Sequence, residues 1–83
     1  MVNVLYKTNC FYEIKKIKPT SQNYYRKKLM AMGLLPGTRF KIKRVASFGG
    51  PIQLDINGNQ ISVRPHELNS LLEVALIEDL NQL

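Results

Sequence analysis

The sequence has few of the side chains that usually carry catalysis or bind metals. It contains one cysteine, Cys10, one histidine, His66, and no tryptophan. A single cysteine excludes an internal disulfide, and a free thiol is typical of a reducing compartment, so we expect a cytoplasmic protein. Zinc sites repeat Cys or His at short spacings, which this chain does not do. We therefore predict no metal site and no cofactor.

A catalytic constellation is missing as well. Cys10 and His66 would have to meet and be oriented by a third group to act as a nucleophile pair, and nothing in the sequence favours that. The five glycines have turn roles and match no phosphate-binding pattern. A chain of 83 residues supports a modest core and leaves no room for a deep active site. We predict that the protein is not an enzyme.

Long apolar runs are also missing. No stretch approaches the roughly 18 apolar residues that a membrane-spanning helix needs, and residues 1–6 are too short for the apolar region of a signal peptide. We expect no direct insertion into a membrane.

Acidic residues are scarce in the first half of the chain. Residues 1–44 hold eleven of the twelve Lys and Arg against Glu13 alone, a charge of +10, whereas residues 45–83 carry −4. This asymmetry indicates an electropositive face directed at an acidic partner, which could be nucleic acid, lipid headgroups or protein. The alternative is a solvated basic surface that serves solubility.

One stretch, residues 29–45, organises the predicted fold. Gly33 suits the left-handed position that ends a helix, and Leu34 can fold back on its last turn. Pro36-Gly37 is typical of a type II turn. In the strand that follows, Phe40 and Ile42 alternate with basic residues, so one side faces the core and the other carries cations.

The remaining patterns complete a small β fold. Residues 11–18 predict a strand that needs a bulge to bury both Ile14 and Ile17. Residues 22–32 predict a helix capped by Thr20 or Ser21, with Tyr25, Leu29 and Met32 as its apolar stripe. Asn57-Gly58 between two alternating runs predicts a type I′ hairpin.

A short helix beginning at Pro65 and a last strand through Leu72 and Val74 follow the hairpin. Five short strands in so small a chain should curl together. We predict a mainly β, SH3-like barrel with one helix between strands 1 and 2 and a helical turn before the last strand. Residues 1–83 are expected to form a single domain with its core at about 11–76. Residues 1–10 are a loose end or an edge strand, and residues 77–83 either extend the last strand or form a loose tail.

The pattern as a whole resembles a known family. The run RKKLMAMGLLPGTRFKIKRVA, then GGPIQLDINGNQISVR, then a helical turn and LLEV, resembles the ferrous iron transport protein A (FeoA) family over about residues 11–74. The residues that carry the resemblance are Arg26, Leu29, Gly33, Leu35, Pro36, Gly37, Gly50, Pro51, Ile52, Gly58 and Arg64.

The resemblance implies a bacterial cytoplasmic protein with an accessory role beside a membrane ferrous iron transporter that carries a GTP-binding domain. We place the partner-binding surface on the exposed basic and apolar residues nearest the organising stretch. These are Arg26, Lys27, Met30, Leu35 and Arg39, with Phe48 at the edge. Phe48 could instead fold down over the end of the barrel, which is the commoner outcome for an aromatic ring.

Two other functions stay open. Small barrels often bind single-stranded nucleic acid through basic grooves with stacking aromatics, and Arg39, Lys41, Lys43 and Arg44 with Tyr24, Tyr25 or Phe48 could do so. No recognition motif supports that alternative, so a nucleic-acid partner is not the primary expectation. The family resemblance extends to the C-terminal domain of iron-dependent repressors, which makes a metal-sensing module the second alternative.

Overall fold

The structure is a computed structural model that describes residues 6–18 and 23–82, apart from the side chains of residues 23–25 and 71. Its elements are β1 (Cys10–Ile17), α1 (Asn23–Ala31), β2 (Arg39–Val45), β3 (Ile52–Ile56), β4 (Asn59–Val63), α2 (Pro65–Leu71), β5 (Leu72–Asp79) and a 3₁₀ turn (Leu80–Gln82). The five strands form one antiparallel sheet in the order β4-β3-β2-β1-β5. The predicted mainly β fold, with one helix after the first strand and a short one before the last, is confirmed. The sheet is open, since β4 and β5 are its two edges in the described part of the chain.

Strand β1 buries alternate side chains from its first residue. Cys10, Tyr12 and Ile14 are all buried, while Phe11 and Glu13 lie on the outer face. Its pairing with β5 shifts register between Phe11 and Tyr12 and again between Ile14 and Lys16. The second irregularity is the predicted bulge, and it lets the half-buried Ile17 pack against the same core as Ile14.

Three aromatic rings pack together in the core, with Tyr12 stacked on Phe40 and Tyr6 tilted against both. The Tyr12 ring lies 5.7 Å from that of Phe40 and 5.1 Å from that of Tyr6, measured between centroids. Residues 1–10 were predicted as a loose end or an edge strand, and for Tyr6 a loose end is wrong, because its ring is buried among these partners. Residues 1–5 lie outside the described part of the chain.

The corner between α1 and β2 is the one the sequence predicts. Gly33 has φ 85°, and the N–H groups of Leu34 and Gly33 donate to the carbonyls of Leu29 and Met30 at 2.9 and 3.0 Å, which is a Schellman motif. Leu34 is fully buried and contributes to the core together with Leu29. Of the other predicted stripe residues, Met32 is half-buried. The side chain of Tyr25 and the N-cap predicted at Thr20 or Ser21 lie outside the described residues.

The turn after this corner is bonded to β1. Gly37 has φ 88° and the Thr38 N–H donates to the Leu35 carbonyl at 3.0 Å, as a type II turn requires. The Gly37 N–H donates to the Ile14 carbonyl at 2.7 Å, and the Ile14 N–H donates to the Thr38 carbonyl at 2.9 Å. These two bonds fix the helix end and the start of β2 against β1.

The central strands follow the predicted alternation. Phe40 and Ile42 of β2 are buried, and the predicted bend appears as a register shift against β3 between Ile42 and Arg44, which leaves Val45 exposed. The Asn57-Gly58 hairpin is confirmed, with φ values of 52° and 85°. Both positive angles are those of a type I′ turn.

The last strand extends into the C-terminal part of the chain, which is one of the two outcomes that the sequence leaves open. Strand β5 continues to Asp79, and the Leu80 N–H of the 3₁₀ turn donates to the Asn9 carbonyl at 3.0 Å. The regular structure therefore extends beyond the predicted 11–76 core at both ends, and of the two outcomes for residues 77–82 the structure shows the continued strand with a 3₁₀ turn. Neither helix in the described part of the chain has the length and apolar content that crossing a bilayer requires.

Gly37→Val should lower the free energy of unfolding by about 1 to 3 kcal/mol, because a β-branched residue is strained at positive φ. A Cβ at this position would meet nothing within 4 Å, so the loss measures backbone strain without a steric clash. Chemical denaturation monitored by circular dichroism gives the value. Gly37→Asn is the matched control and should cost clearly less, since Asn tolerates this region. Equal losses for the two variants would contradict the turn assignment.

Tyr6→Phe should raise stability at neutral pH by about 1 kcal/mol, because the buried Tyr6 hydroxyl has no hydrogen-bond partner among the described residues.

The wild type should also lose stability as the pH rises above about 9. Burial raises the pKa values of Tyr6, Cys10 and Tyr12, so above the ordinary pKa values the unfolded chain ionises first and unfolding is favoured. Denaturant midpoints between pH 7 and 10.5 test both statements. An alkaline slope that is unchanged in Tyr6→Phe would contradict the role of its phenol.

Candidate protein-binding surface

One face of α1 presents two cations and an apolar side chain. Arg26 and Lys27 lie four and three residues before Met30, and this spacing puts all three on the same side of the helix. All three are exposed, with Met30 at 53 %. Leu29 faces the core, and Lys28 lies on another side of the helix, where it lines a cavity with Met32 and Arg64.

Leu35 follows α1 in the chain and lies in a hydrogen-bonded turn. It directly follows the Schellman motif, and its neighbour Leu34 occupies the core while Leu35 is 39 % exposed. The Leu35 carbonyl accepts the turn bond from Thr38, and Gly37 is bonded to β1. An apolar side chain held in this way loses little backbone entropy when a partner covers it.

Arg39 lies on the outer face of the sheet and takes part in a charged cluster. Its Nε is 3.5 Å from Glu13 Oε1, and Lys15 Nζ contacts the other oxygen of the same carboxylate. The hydrogen bond from Lys15, together with Arg39, holds the pKa of Glu13 below its usual value. The Arg39 side chain is nevertheless 67 % exposed, so it can still contact a partner.

The sequence did not indicate the role of Phe11. This half-buried ring lies beneath the Lys41 ammonium, with 5.7 Å from Nζ to the ring centroid, a cation–π contact. Phe11 also lines a hollow of about 280 Å³ together with Arg39, Ile77 and Glu78. The alternation of Cys10, Tyr12 and Ile14 is the sequence signal that places Phe11 on the outer face, whereas the predicted core of that strand consists of Ile14 and Ile17 alone.

Phe48 does not fold over the end of the barrel. Its ring is completely exposed, so the commoner outcome named above is wrong. Phe48 and Gly49 have φ values of 58° and 72°, and the Gly50 N–H donates to the Ser47 carbonyl at 3.2 Å, which closes a tight turn between β2 and β3. A bulky residue at positive φ is rare and strained, and such strain often marks a functional position.

The predicted surface residues fall into three groups. Arg26, Lys27 and Met30 share one helix face, with Leu35 just past the end of that helix. Arg39 stands at the first residue of β2, on the sheet. Phe48 lies beyond the last residue of β2, roughly 20 Å along that strand from Arg39 at about 3.3 Å per residue. Arg26, Lys27 and Met30 therefore share one face, and Phe48 lies apart from Arg39 at the other end of β2.

The arrangement of potential ligands and nucleophiles offers little chemistry. Within residues 6–18 and 23–82, no group of three or more His, Cys, Asp and Glu side chains could hold a metal ion. The Cys10 thiol is buried and lies 3.8 Å from the Thr8 carbonyl and 3.9 Å from Asn81 Nδ2, whereas His66 is exposed at the start of α2. Burial also raises the pKa of Cys10, which disfavours the reactive thiolate.

Comparison with known proteins shows a family match and several structures of the same fold. The FeoA domain model matches residues 6–72. A FeoA-like protein from Clostridium acetobutylicum is 28 % identical, with a TM-score of 0.73 over 89 % of this chain and 83 % of that one. A Pseudomonas aeruginosa protein is 32 % identical, with a TM-score of 0.70 over 87 % and 95 % of the two chains. Iron(II) transport protein A from Clostridium thermocellum is 31 % identical with a TM-score of 0.72, and the match covers 84 % of this chain and 41 % of that protein.

The fold and its exposed surfaces define a small, mainly β domain of the SH3-like class. Within that class, the chain belongs to the FeoA family, as its sequence motifs predicted. The family consists of small accessory proteins related to iron uptake and is not known for catalysis.

Phe48→Asn should raise the free energy of unfolding by about 0.5 to 1 kcal/mol, because Asn tolerates the left-handed conformation that strains phenylalanine and the ring contributes nothing to the core. Denaturant unfolding of the two proteins measures the change. Phe40→Asn is the contrasting control and should be strongly destabilising, since that ring is buried. A loss of stability in Phe48→Asn would show that the ring packs in solution.

Proposed function

We propose that this protein is a non-catalytic accessory protein of bacterial ferrous iron uptake that binds the cytoplasmic side of a membrane iron transporter carrying a GTP-binding domain. Membership of the FeoA family supports the link to iron uptake. The observation that carries the binding role is the exposed face of Arg26, Lys27 and Met30, extended by Leu35 on its rigid turn.

The chemistry of this surface suits an acidic protein partner. Two cations beside two apolar side chains can steer an acidic surface into contact and then bury apolar area at the centre of the interface. Arg39 extends the positive charge onto the sheet. Lys15 also contacts the Glu13 carboxylate, so two cations face one acid and the pair leaves a net positive charge that can attract a partner. Phe48 would contact a more distant part of a large partner, as its separation along β2 requires.

Exchanging the charge of the helix face should weaken the interaction. In Arg26→Glu/Lys27→Glu, binding to the purified GTP-binding domain of the transporter, measured by biolayer interferometry at 150 mM salt, should fall at least tenfold, because an acidic partner would then be repelled. The melting curve should hardly change, since both side chains are exposed.

Lys43→Glu/Arg44→Glu is the matched control for this experiment. It makes the same change of charge at exposed positions near the other end of β2. Binding within about threefold of the wild type is expected there. Equal weakening by both double variants would mean that net charge alone drives the attraction, and unaltered binding in Arg26→Glu/Lys27→Glu would refute the surface.

A nucleic-acid role finds less support in the structure. The rings of Tyr6, Tyr12 and Phe40 form the core, and Phe11 lies beneath Lys41, so among the described side chains only Phe48 offers a free aromatic face for stacking. A filter-binding titration with single-stranded DNA distinguishes the two functions. Micromolar binding that persists at physiological salt would favour nucleic acid over a protein partner.

A further inference from the structure

Strand β5 is an open edge of the sheet. Its eight residues pair with β1 from Cys10↔Asp79 to Ile17↔Leu72, and no strand of the described chain pairs with its other side. An edge strand presents a row of unpaired backbone N–H and carbonyl groups, which is a template for another extended segment.

The other edge, β4, is much less suited to receive a strand. It has five residues, and its exposed side chains, Asn59, Gln60 and Ser62, are all polar. Strand β5 instead exposes Leu76 at 55 % and Ile77 at 40 %. Natural proteins protect edges with Lys, Pro, short strands, charged side chains or bulges. Strand β5 has no Lys or Pro and is eight residues long, so the protections it carries are its acids and the register shift that leaves Ile77 without a partner on β1.

A hollow lies beside Ile77, on the face of the sheet that β5 shares with β1 and β2. Ile77 and Glu78 line it together with Phe11 and Arg39, and its volume is about 280 Å³. Its apolar walls are the ring of Phe11 and the side chain of Ile77, so an aliphatic residue that reaches over β5 from an added strand would be covered on two sides. Backbone pairing would provide affinity, and this hollow would provide selectivity.

The charge of β5 selects the occupant. Glu73, Glu78 and Asp79 are half of the six acids in the chain, and β5 has no basic residue. Asp79 accepts the Asn81 N–H at 2.9 Å, whereas Glu73 and Glu78 form no ion pair within the described residues. An incoming strand with Lys or Arg beside its apolar residues would compensate these two carboxylates.

A second copy of the chain fits this edge poorly. Antiparallel pairing of two β5 strands would bring acids from both copies together, which is unfavourable. Pairing of β5 with the β4 edge of another copy would be head-to-tail and would not close into a dimer.

We propose that β5 is a strand-addition site for an extended segment of a partner protein in which apolar residues alternate with Lys or Arg. Arg39 lines the hollow and also belongs to the proposed transporter-binding surface, but the backbone edge and the acids of β5 lie apart from the cations of α1, so strand addition does not depend on the transporter interaction proposed above.

A ten-residue peptide of alternating Val and Lys is the probe, and the matched peptide of Val and Glu is its control. Added to ¹⁵N-labelled protein, the Val-Lys peptide should give saturable shifts of the amides of residues 72–79. It should slow at least tenfold the hydrogen exchange of those amides in this range that point away from β1. The amides of residues 59–63 should not respond. No effect on residues 72–79, or an equal effect of both peptides, would overturn the proposal.

Variants separate edge pairing from simple charge attraction. Ile77→Lys should weaken binding of the Val-Lys peptide at least tenfold, while Gln60→Lys, the same charge added to the β4 edge, should leave it unchanged. Glu73→Lys/Glu78→Lys should reverse the preference, so that this variant binds the Val-Glu peptide more tightly than the Val-Lys peptide. This variant tests the proposal if Ile77→Lys does not fold. Sedimentation equilibrium of the wild type completes the test, since a dimer lost in Ile77→Lys would assign the edge to a second copy and refute a foreign partner.

Discussion

Two backbone hydrogen bonds between the turn at residues 35–38 and the middle of β1 hold the architecture together. Gly37 and Thr38 bond to the carbonyl and N–H of Ile14, so the end of α1, the start of β2 and the first strand meet at one residue. Ile14 is itself fully buried, and its bonds are therefore protected from water. These bonds fix the backbone that carries the exposed side chains of this corner, Leu35 above all. The candidate binding surface thus depends on bonds that none of its own side chains make.

The parts of the fold that local chemistry determines could be predicted from the sequence. Gly33, Pro36-Gly37 and Asn57-Gly58 each require a particular backbone angle, and the alternation around Phe40 and Ile42 requires one buried face. The missed features depend on contacts between distant residues. Tyr6 is buried because β1 and β2 bring Tyr12 and Phe40 to it, and no pattern in residues 1–9 contains that information. The sequence leaves open whether Phe48 packs against the domain or stays exposed, and the turn between β2 and β3 decides it, because there the ring is completely exposed.

The candidate binding surface could be predicted only in part, because local spacing places some of its residues and contacts between distant residues place the others. Helical spacing was enough to group Arg26, Lys27 and Met30, because neighbours on a helix face follow from sequence separation alone. Placing Arg39 and Phe48 required the register and length of β2, which the sequence indicates only approximately. The acidic edge formed by β5 could not be foreseen at all, since strand order in the sheet decides which strands are edges. The chain consequently carries two surfaces of opposite charge, one on a helix and one on a strand.

The position of Cys10 has a practical consequence for studying these surfaces. The only thiol of the chain is enclosed by the core and lies near Thr8 and Asn81. A maleimide probe would meet almost no native thiol at neutral pH, so a cysteine introduced at an exposed position such as residue 27 or 76 could be modified selectively. Fluorescent or spin labels could then be attached to either surface in the natural background, with the core thiol left in place.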